Sequence, residues 1–148
     1  MIHQDPILKY IFYFDKCFEF LSQMFLKVAK YFYNKKEFDI ALRSLDQAEK
    51  LSKPRHGDVD VWIKKAEVFL ENGSFKKSLH ISEQILKQKG KSWLSTENCH
   101  IDKYPGLENS SVATLLKGQS LFNLCHFEHA LIMFHRGDKL NLHSHTFR

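Results

Sequence analysis

Residues that break helices are scarce in this sequence, which has only 3 Pro and 6 Gly among 148 residues. A sheet protein with many tight glycine turns is therefore excluded, and helices joined by short turns are favoured. The hydrophobic fraction of 43% is high enough to bury a core, so wholesale disorder is excluded as well. The length suits one compact domain. We predict an all-α protein.

Cysteine is also rare. The three cysteines, Cys17, Cys99 and Cys125, are odd in number and form no CxxC pair. This excludes a disulfide framework and indicates a reducing compartment, so we expect a cytoplasmic protein. Cys125 is followed by His126 and His129, which could act as metal ligands, but no second cysteine pair completes a structural tetrad. We expect no metal site.

Catalytic signatures are missing too. The glycines are isolated, so no phosphate-binding loop is present, and the sequence has no HExxH, GxSxG or kinase-type motif. Cys99 and His100 are adjacent in sequence, which does not make a catalytic dyad. We therefore expect a protein that is not an enzyme, with no catalytic residues, no cofactor and no small-molecule substrate.

No hydrophobic run is long enough for a membrane span. The apolar stretch over 7–14 is followed by Asp15, Lys16 and Glu19, whereas a span needs about 20 apolar residues. The stretch also lacks the basic start and the cleavage site of a signal peptide. An acidic residue and a proline precede it, which is typical of a helix start. We expect an N-terminal helix over 1–21 and no membrane partner.

Charge of either sign is not concentrated in one segment. The formal net charge is +5, with lysines spread along the chain and mixed with Glu and Asp. Such mixing is typical of solvated helix faces rather than of a nucleic-acid-binding patch, so no nucleic-acid partner is expected. A mildly basic surface favours an acidic protein partner.

An internal repeat is the strongest positive signal. In three segments a small residue is followed twelve positions later by a second one, with a Phe three positions before the second and a large apolar residue three after the first. The small pairs are Ala29 and Ala41, Ala66 and Ser78, and Gly118 and Ala130; the Phe residues are Phe38, Phe75 and Phe127; the large apolar residues are Phe32, Phe69 and Leu121. We predict three helical hairpins, because small side chains let two helices approach where they cross while bulky neighbours fill the remaining space.

This pattern resembles the tetratricopeptide-repeat (TPR) family. The first half of the family signature is matched best by Trp62, Ala66 and Phe69, and the second half by Gly118, Ala130 and Phe134. Two positions depart from it, because Ser78 replaces the usual alanine and Cys125 stands where the turn prefers glycine. The resemblance implies a right-handed superhelix of three helical hairpins, preceded here by the N-terminal helix.

The spacing between the repeats predicts the domain organisation. The Phe after the turn recurs after 37 residues and then after 52, whereas the family period is about 34. The excess predicts an insertion, which we assign to a surface loop at about 91–109 that contains a Pro-Gly turn signal. We predict a TPR domain over 22–148, with repeats at about 22–55, 59–90 and 111–142.

The third repeat carries a more specific resemblance. Residues 127–140 read FEHALIMFHRGDKL, which is similar to the F-E-x-A-L-x-x-x-H-R-G-x-K-L run of the TPR subunits of outer dynein arm docking complexes. This resemblance implies a non-catalytic scaffold in the axoneme of a cilium or flagellum. Docking-complex coiled-coil subunits and axonemal proteins are then the expected partners. The alternative is a general TPR adaptor or co-chaperone-like protein that binds a peptide segment of a cytosolic partner.

In TPR proteins the first helix of each hairpin lines the binding groove. Helical spacing assigns groove positions to Lys27, Lys30, Tyr33, Lys64, Glu67, Gln119 and Phe122. The lysines are expected to meet acidic side chains of a partner, and the two aromatics to serve as anchors. The carboxylate clamp of TPR co-chaperones is disfavoured, because Lys30 and Glu67 stand where that clamp needs Asn.

Overall fold

The computed structural model of the chain describes residues 6–52, 59–93 and 107–145. These residues form six α-helices and contain no strand, so the predicted all-α class is confirmed. In chain order the helices are α1 (Pro6–Asn34), α2 (Phe38–Leu51), α3 (Val59–Glu71), α4 (Phe75–Trp93), α5 (Leu107–Asn123) and α6 (Phe127–His145). None of these described helices combines the length and the apolar character that crossing a bilayer requires.

Helix α1 is one uninterrupted helix of 29 residues. The predicted boundary between an N-terminal helix over 1–21 and a repeat domain from residue 22 lies inside it, and the helix passes through that boundary without a break. The physical reason is that no Pro or Gly occurs between Ile7 and Asn34, so nothing in the sequence ends or kinks the helix.

Most of the region predicted to be an inserted loop, 91–109, lies outside the described residues. Helix α4 continues to Trp93 and α5 begins at Leu107, so both ends of the region 91–109 are helical. Residues 94–106 lie outside the described residues, as do 53–58 near the predicted boundary between the first and second repeats.

The chain divides into two compact units, Met1–Val61 and Trp62–Arg148. In the first unit α1 and α2 form an antiparallel hairpin. Ala29, Ala41 and Leu45 are fully buried in its core. The buried Ser22 hydroxyl donates a hydrogen bond of 3.0 Å to the carbonyl oxygen of Ala48, which ties the second half of α1 to the end of α2.

In the second unit each helix contacts the next one along the chain. The buried Ser78 hydroxyl of α4 donates to the carbonyl oxygen of Ala66 in α3 at 2.9 Å, and accepts from the Ser120 hydroxyl of α5 at 3.1 Å. The Lys117 Nζ of α5 lies 3.3 Å from the Glu83 Oε1 of α4. Helix α5 packs in turn against α6. Buried hydroxyls thus link three consecutive helices through hydrogen bonds that leave no donor unsatisfied.

The three hairpins turn in the same way. In each turn one residue, here called the left-handed turn residue, has a positive φ: Lys36 (63°), Gly73 (82°) and Cys125 (65°). The amide of the following residue donates to the carbonyl oxygen five residues back: Glu37 to Phe32 at 3.0 Å, Ser74 to Phe69 at 2.8 Å and His126 to Leu121 at 2.9 Å. This is the Schellman ending of a helix, in which glycine is the favoured left-handed residue.

Replacing Cys125 by glycine is expected to raise the free energy of unfolding by about 1 kcal/mol. A side chain in the left-handed region costs about 1–2 kcal/mol, and the extra freedom of glycine in the unfolded chain offsets part of that gain. Urea denaturation followed by circular dichroism measures the change.

The opposite substitution, Gly73→Ala, serves as its control. A Cβ at Gly73 meets no atom within 4 Å, so only the backbone conformation acts, and we expect a loss of about 1 kcal/mol. If Cys125→Gly gave no gain while Gly73→Ala gave this loss, the left-handed conformation of Cys125 would be wrong.

Candidate protein-binding site

The six small residues of the repeat are all buried. Ala29, Ala41, Ala66, Ser78 and Ala130 are 0–1% exposed, and Gly118 is buried as well. The closest approach is at Gly118, where an added Cβ would lie 2.7 Å from Cε1 of Phe134 and 3.3 Å from Cβ of Met133. Helices α5 and α6 therefore cross at a point with no room for a side chain on residue 118.

The large residues of the repeat are mostly half-buried beside these crossings. This group consists of Phe32, Phe38, Trp62, Phe69, Phe75 and Phe134, while Leu121 is buried. Phe127 is the exception, since we expected it to fill the space beside the helix crossing and it is 55% exposed. It lies in the first turn of α6, away from the crossing, and its ring contacts the edge of the Phe122 ring with centroids 5.3 Å apart. Phe127 therefore packs against the turn of its hairpin and is not part of the core.

The predicted groove residues occupy equivalent places in the three hairpins. They stand nine, six or three residues before the left-handed turn residue, which puts them on one face of the first helix. The three rows are Lys27, Lys64 and Leu116; Lys30, Glu67 and Gln119; and Tyr33, Leu70 and Phe122. Of these, Leu70 and Leu116 were not predicted and are added by their equivalent positions. Leu116 is only 5% exposed, so the face is closed to a partner at that place.

In the first unit this face is basic. Lys27 and Lys30 are exposed one turn apart on α1. Tyr33 is half-buried, and its ring centroid lies 6.3 Å from that of Phe38 with the rings tilted by 58°. The Lys36 Nζ lies 6.0 Å from the Tyr33 ring centroid. The two lysines thus remain available to an acidic partner, whereas Tyr33 contributes to the turn of its own hairpin.

In the second unit the corresponding face is nearly neutral. The Lys64 ammonium pairs with the Glu67 carboxylate, and both side chains are half-buried. Lys64 was expected to meet an acidic partner, but its charge is balanced by Glu67 one turn away. Gln119 is exposed, and Phe122 is 54% exposed against Phe127. On this unit a partner would therefore meet the Gln119 amide and the Phe122 ring, and not a second basic patch.

No family model, curated protein or solved structure matches this chain.

Metal-ligating side chains are not grouped in the part of the chain that the structure describes. No three His, Cys, Asp or Glu residues within it could hold one metal ion. The two described cysteines, Cys17 and Cys125, are free thiols on the surface.

A second exposed surface lies on α1 and was not predicted from the sequence. Large apolar residues recur along this helix with alternating gaps of four and three residues. We call this row the heptad stripe; it consists of Ile7, Ile11, Phe14, Phe18, Leu21, Phe25, Val28 and Phe32. The signal was present in the sequence, but α1 was divided at residue 21, which splits one continuous row into two shorter ones.

Proposed function

We propose that this chain is a TPR-type scaffold that binds other proteins and catalyses no reaction. In this proposal three hairpins form a right-handed superhelix, and the first helix of each hairpin contributes to the binding surface. In each unit the exposed members of the rows offer that surface: Lys27 and Lys30 in the first unit, and Gln119 and Phe122 in the second. Its partners are proteins, and the basic pair on α1 selects for acidic side chains.

The observation that carries this proposal is the register of the three hairpins. Each first helix ends two residues before the left-handed turn residue, and each second helix begins two residues after it. The buried small residues lie seven residues before and five residues after that turn residue in all three. Three copies of one hairpin in one chain are typical of a helical repeat protein, in which stacked units create an extended binding surface.

The more specific part of the proposal is a place in the outer dynein arm docking complex of cilia or flagella. It is supported by the FEHALIMFHRGDKL run at 127–140. Structural features consistent with it are Ala130 and Gly137, which are both buried, and the fit of Gly137 against Leu115, whose Cδ2 is 3.2 Å from an added Cβ. These residues pack α6 against α5, so packing alone explains why they occur in the run. Packing does not identify a binding partner, which an experiment must do.

A localisation experiment separates this role from that of a cytosolic adaptor. We expect the tagged chain to remain on axonemes after detergent extraction of ciliated cells and to bind purified docking-complex coiled-coil subunits. A protein that is washed out with the cytosol and binds none of these subunits would instead be an adaptor of the alternative kind. The exposed basic pair on α1 supports that alternative equally well.

The basic pair can be tested separately from localisation. Reversing both charges with Lys27→Glu and Lys30→Glu is expected to weaken binding of an acidic partner about tenfold, or about 1.4 kcal/mol. The physical reason is that two favourable charge contacts become repulsive, and added salt should reduce the difference. Titration calorimetry with the captured partner at two salt concentrations measures both effects.

The matched control is Arg43→Glu with Lys50→Glu. Both residues are exposed on α2, so this variant makes the same change in net charge in the same unit but on the other helix of the hairpin. We expect it to bind nearly as well as the unaltered chain. Equal weakening by both double variants would mean that overall charge and not the α1 face governs binding.

A further inference from the structure

The heptad stripe has the spacing of a helix-pairing surface. Its gaps of three and four residues alternate without interruption from Ile7 to Phe32, which is the spacing at which two helices pack side by side along their length. On the opposite side of the helix one row of positions, seven residues apart, is polar: Lys9, Lys16, Gln23 and Lys30. An apolar row backed by a polar row predicts a helix that packs against another helix.

Helix α1 extends well beyond the helix that it packs on. The hydrogen bond from Ser22 to Ala48 fixes the register of α1 and α2, and α2 ends three residues after Ala48. Because the two helices are antiparallel, roughly the first 13 residues of α1 extend past the end of α2 by about 20 Å. A helical segment of this length is marginal alone in water, and packing of its apolar face is what stabilises it.

Five residues of the stripe are exposed, within this extension and beyond it. The exposed fraction of the side chain is 70% for Ile7, 63% for Phe14, 45% for Phe18, 44% for Leu21 and 39% for Val28. A large aromatic side chain buries about 150–250 Å² in full, so the exposed halves of two such stripes offer roughly 1,000 Å². That area is close to the lower bound of specific interfaces, about 1,200 Å².

We propose that the heptad stripe packs against the same stripe of a second copy of this chain. The charges over residues 6–19, the extension and the next residue, support self-pairing, because Lys9 and Lys16 are balanced by Asp15 and Glu19. The extension therefore neither repels its own copy nor selects a strongly charged partner. Two identical stripes can also pair about a two-fold axis, so that each apolar position contributes one side chain from each copy to the interface.

A membrane surface fits this helix less well. Asp15 directly follows Phe14 in the sequence, and Glu19 directly follows Phe18. Both acids therefore flank the apolar row, whereas helices that lie on anionic membranes carry Lys and Arg there. The dimer leaves the basic pair free, since Lys27 and Lys30 lie on the other side of α1 from the stripe.

The test is the mass of the full chain in solution. Sedimentation equilibrium over a range of concentrations is expected to show a monomer in equilibrium with a dimer, with a dissociation constant in the micromolar range or tighter. The variant Phe14→Glu with Phe18→Glu is expected to stay monomeric at every concentration. Both residues are exposed, so the variant should keep the urea midpoint of the unaltered monomer.

The matched control is Phe20→Glu, which replaces a phenylalanine that is 65% exposed on the same helix but outside the stripe. We expect this variant to dimerise like the unaltered chain. An unaltered chain that stays monomeric, a double variant that still dimerises, or a loss of the dimer in Phe20→Glu would each overturn the proposal. Binding of the monomer to anionic lipid vesicles through Phe14 and Phe18 would overturn it in favour of a membrane surface.

Discussion

Replacing Gly118 by leucine is expected to lower the free energy of unfolding by about 3 kcal/mol. An added Cβ at this position already lies 2.7 and 2.9 Å from two atoms of the Phe134 ring and 3.3 Å from Cβ of Met133. The ring can turn away, but the Met133 Cβ is held by the backbone of α6, so a longer side chain must separate the two helices. The gain in helix propensity, about 1 kcal/mol, recovers only part of that cost. Urea denaturation measures the loss.

A second substitution distinguishes this clash from a general effect of the mutation. Phe134→Ala removes the ring that a side chain at residue 118 would strike. The variant Gly118→Leu with Phe134→Ala should therefore lose at least about 1 kcal/mol less than the sum of the two single losses. Additive losses would mean that α5 and α6 do not cross at this point.

Gly137→Ala provides the matched control for the glycine itself. Its added Cβ would lie 3.2 Å from Cδ2 of Leu115, the far end of a flexible side chain. Both glycines lie inside helices and gain the same propensity on mutation to alanine, about 1 kcal/mol. We therefore expect Gly137→Ala to be neutral or stabilising and Gly118→Ala to be destabilising.

Truncation of Ile85 to alanine is the second change with a large expected effect. Ile85 is 1% exposed in α4 and is among the largest fully buried side chains of the described residues. Its loss leaves a cavity in a packed core, and such truncations cost about 2–5 kcal/mol. Urea denaturation should show a lower midpoint with an unchanged slope, because the surface exposed on unfolding hardly changes.

Ile132→Ala is the matched control for this truncation. Ile132 belongs to the same unit, on α6, and is 49% exposed. The same atoms are removed, but water already covers much of the side chain, so we expect a loss within about 0.5 kcal/mol. Similar losses at both positions would contradict the burial of Ile85 in the core.

Small residues were the most reliable guide to the fold. The positions at the crossings, such as Ala29 and Ala66, were identified from their spacing alone, and they are buried. Spacing succeeds here because backbone approach depends on the size of one side chain, which the sequence states directly. Phe127 matches the repeat equally well and is exposed, because a large side chain can be accommodated in more than one way and its neighbours decide which.

The candidate site was only partly predictable for the same reason. Helical spacing identified the face that carries Lys27 and Lys30, and both are exposed. The sequence did not predict that Lys64 would be balanced by Glu67, or that Phe122 would contact Phe127. Ion pairs and ring contacts depend on rotamers, and several rotamers are compatible with one helical position.

The turns illustrate what tertiary structure adds to local preference. Gly73 is a favoured residue for a left-handed turn position, but Lys36 and Cys125 adopt the same conformation against their intrinsic preference. Each lies seven residues after one buried small residue and five before the next, so the packed crossing holds the turn on both sides. Burial of the crossings outweighs a local cost of about 1–2 kcal/mol.

The sequence by itself determined the helices, the places where they cross and the apolar row along α1, because each of these depends on the periodic spacing of residues in one chain. Only the tertiary structure decided which apolar residues are covered. Ile7, Phe14 and Phe18 of the heptad stripe extend past the end of α2, because α2 ends opposite the middle of α1. Where one helix stops relative to another is a property of the packed hairpin and not of either sequence segment.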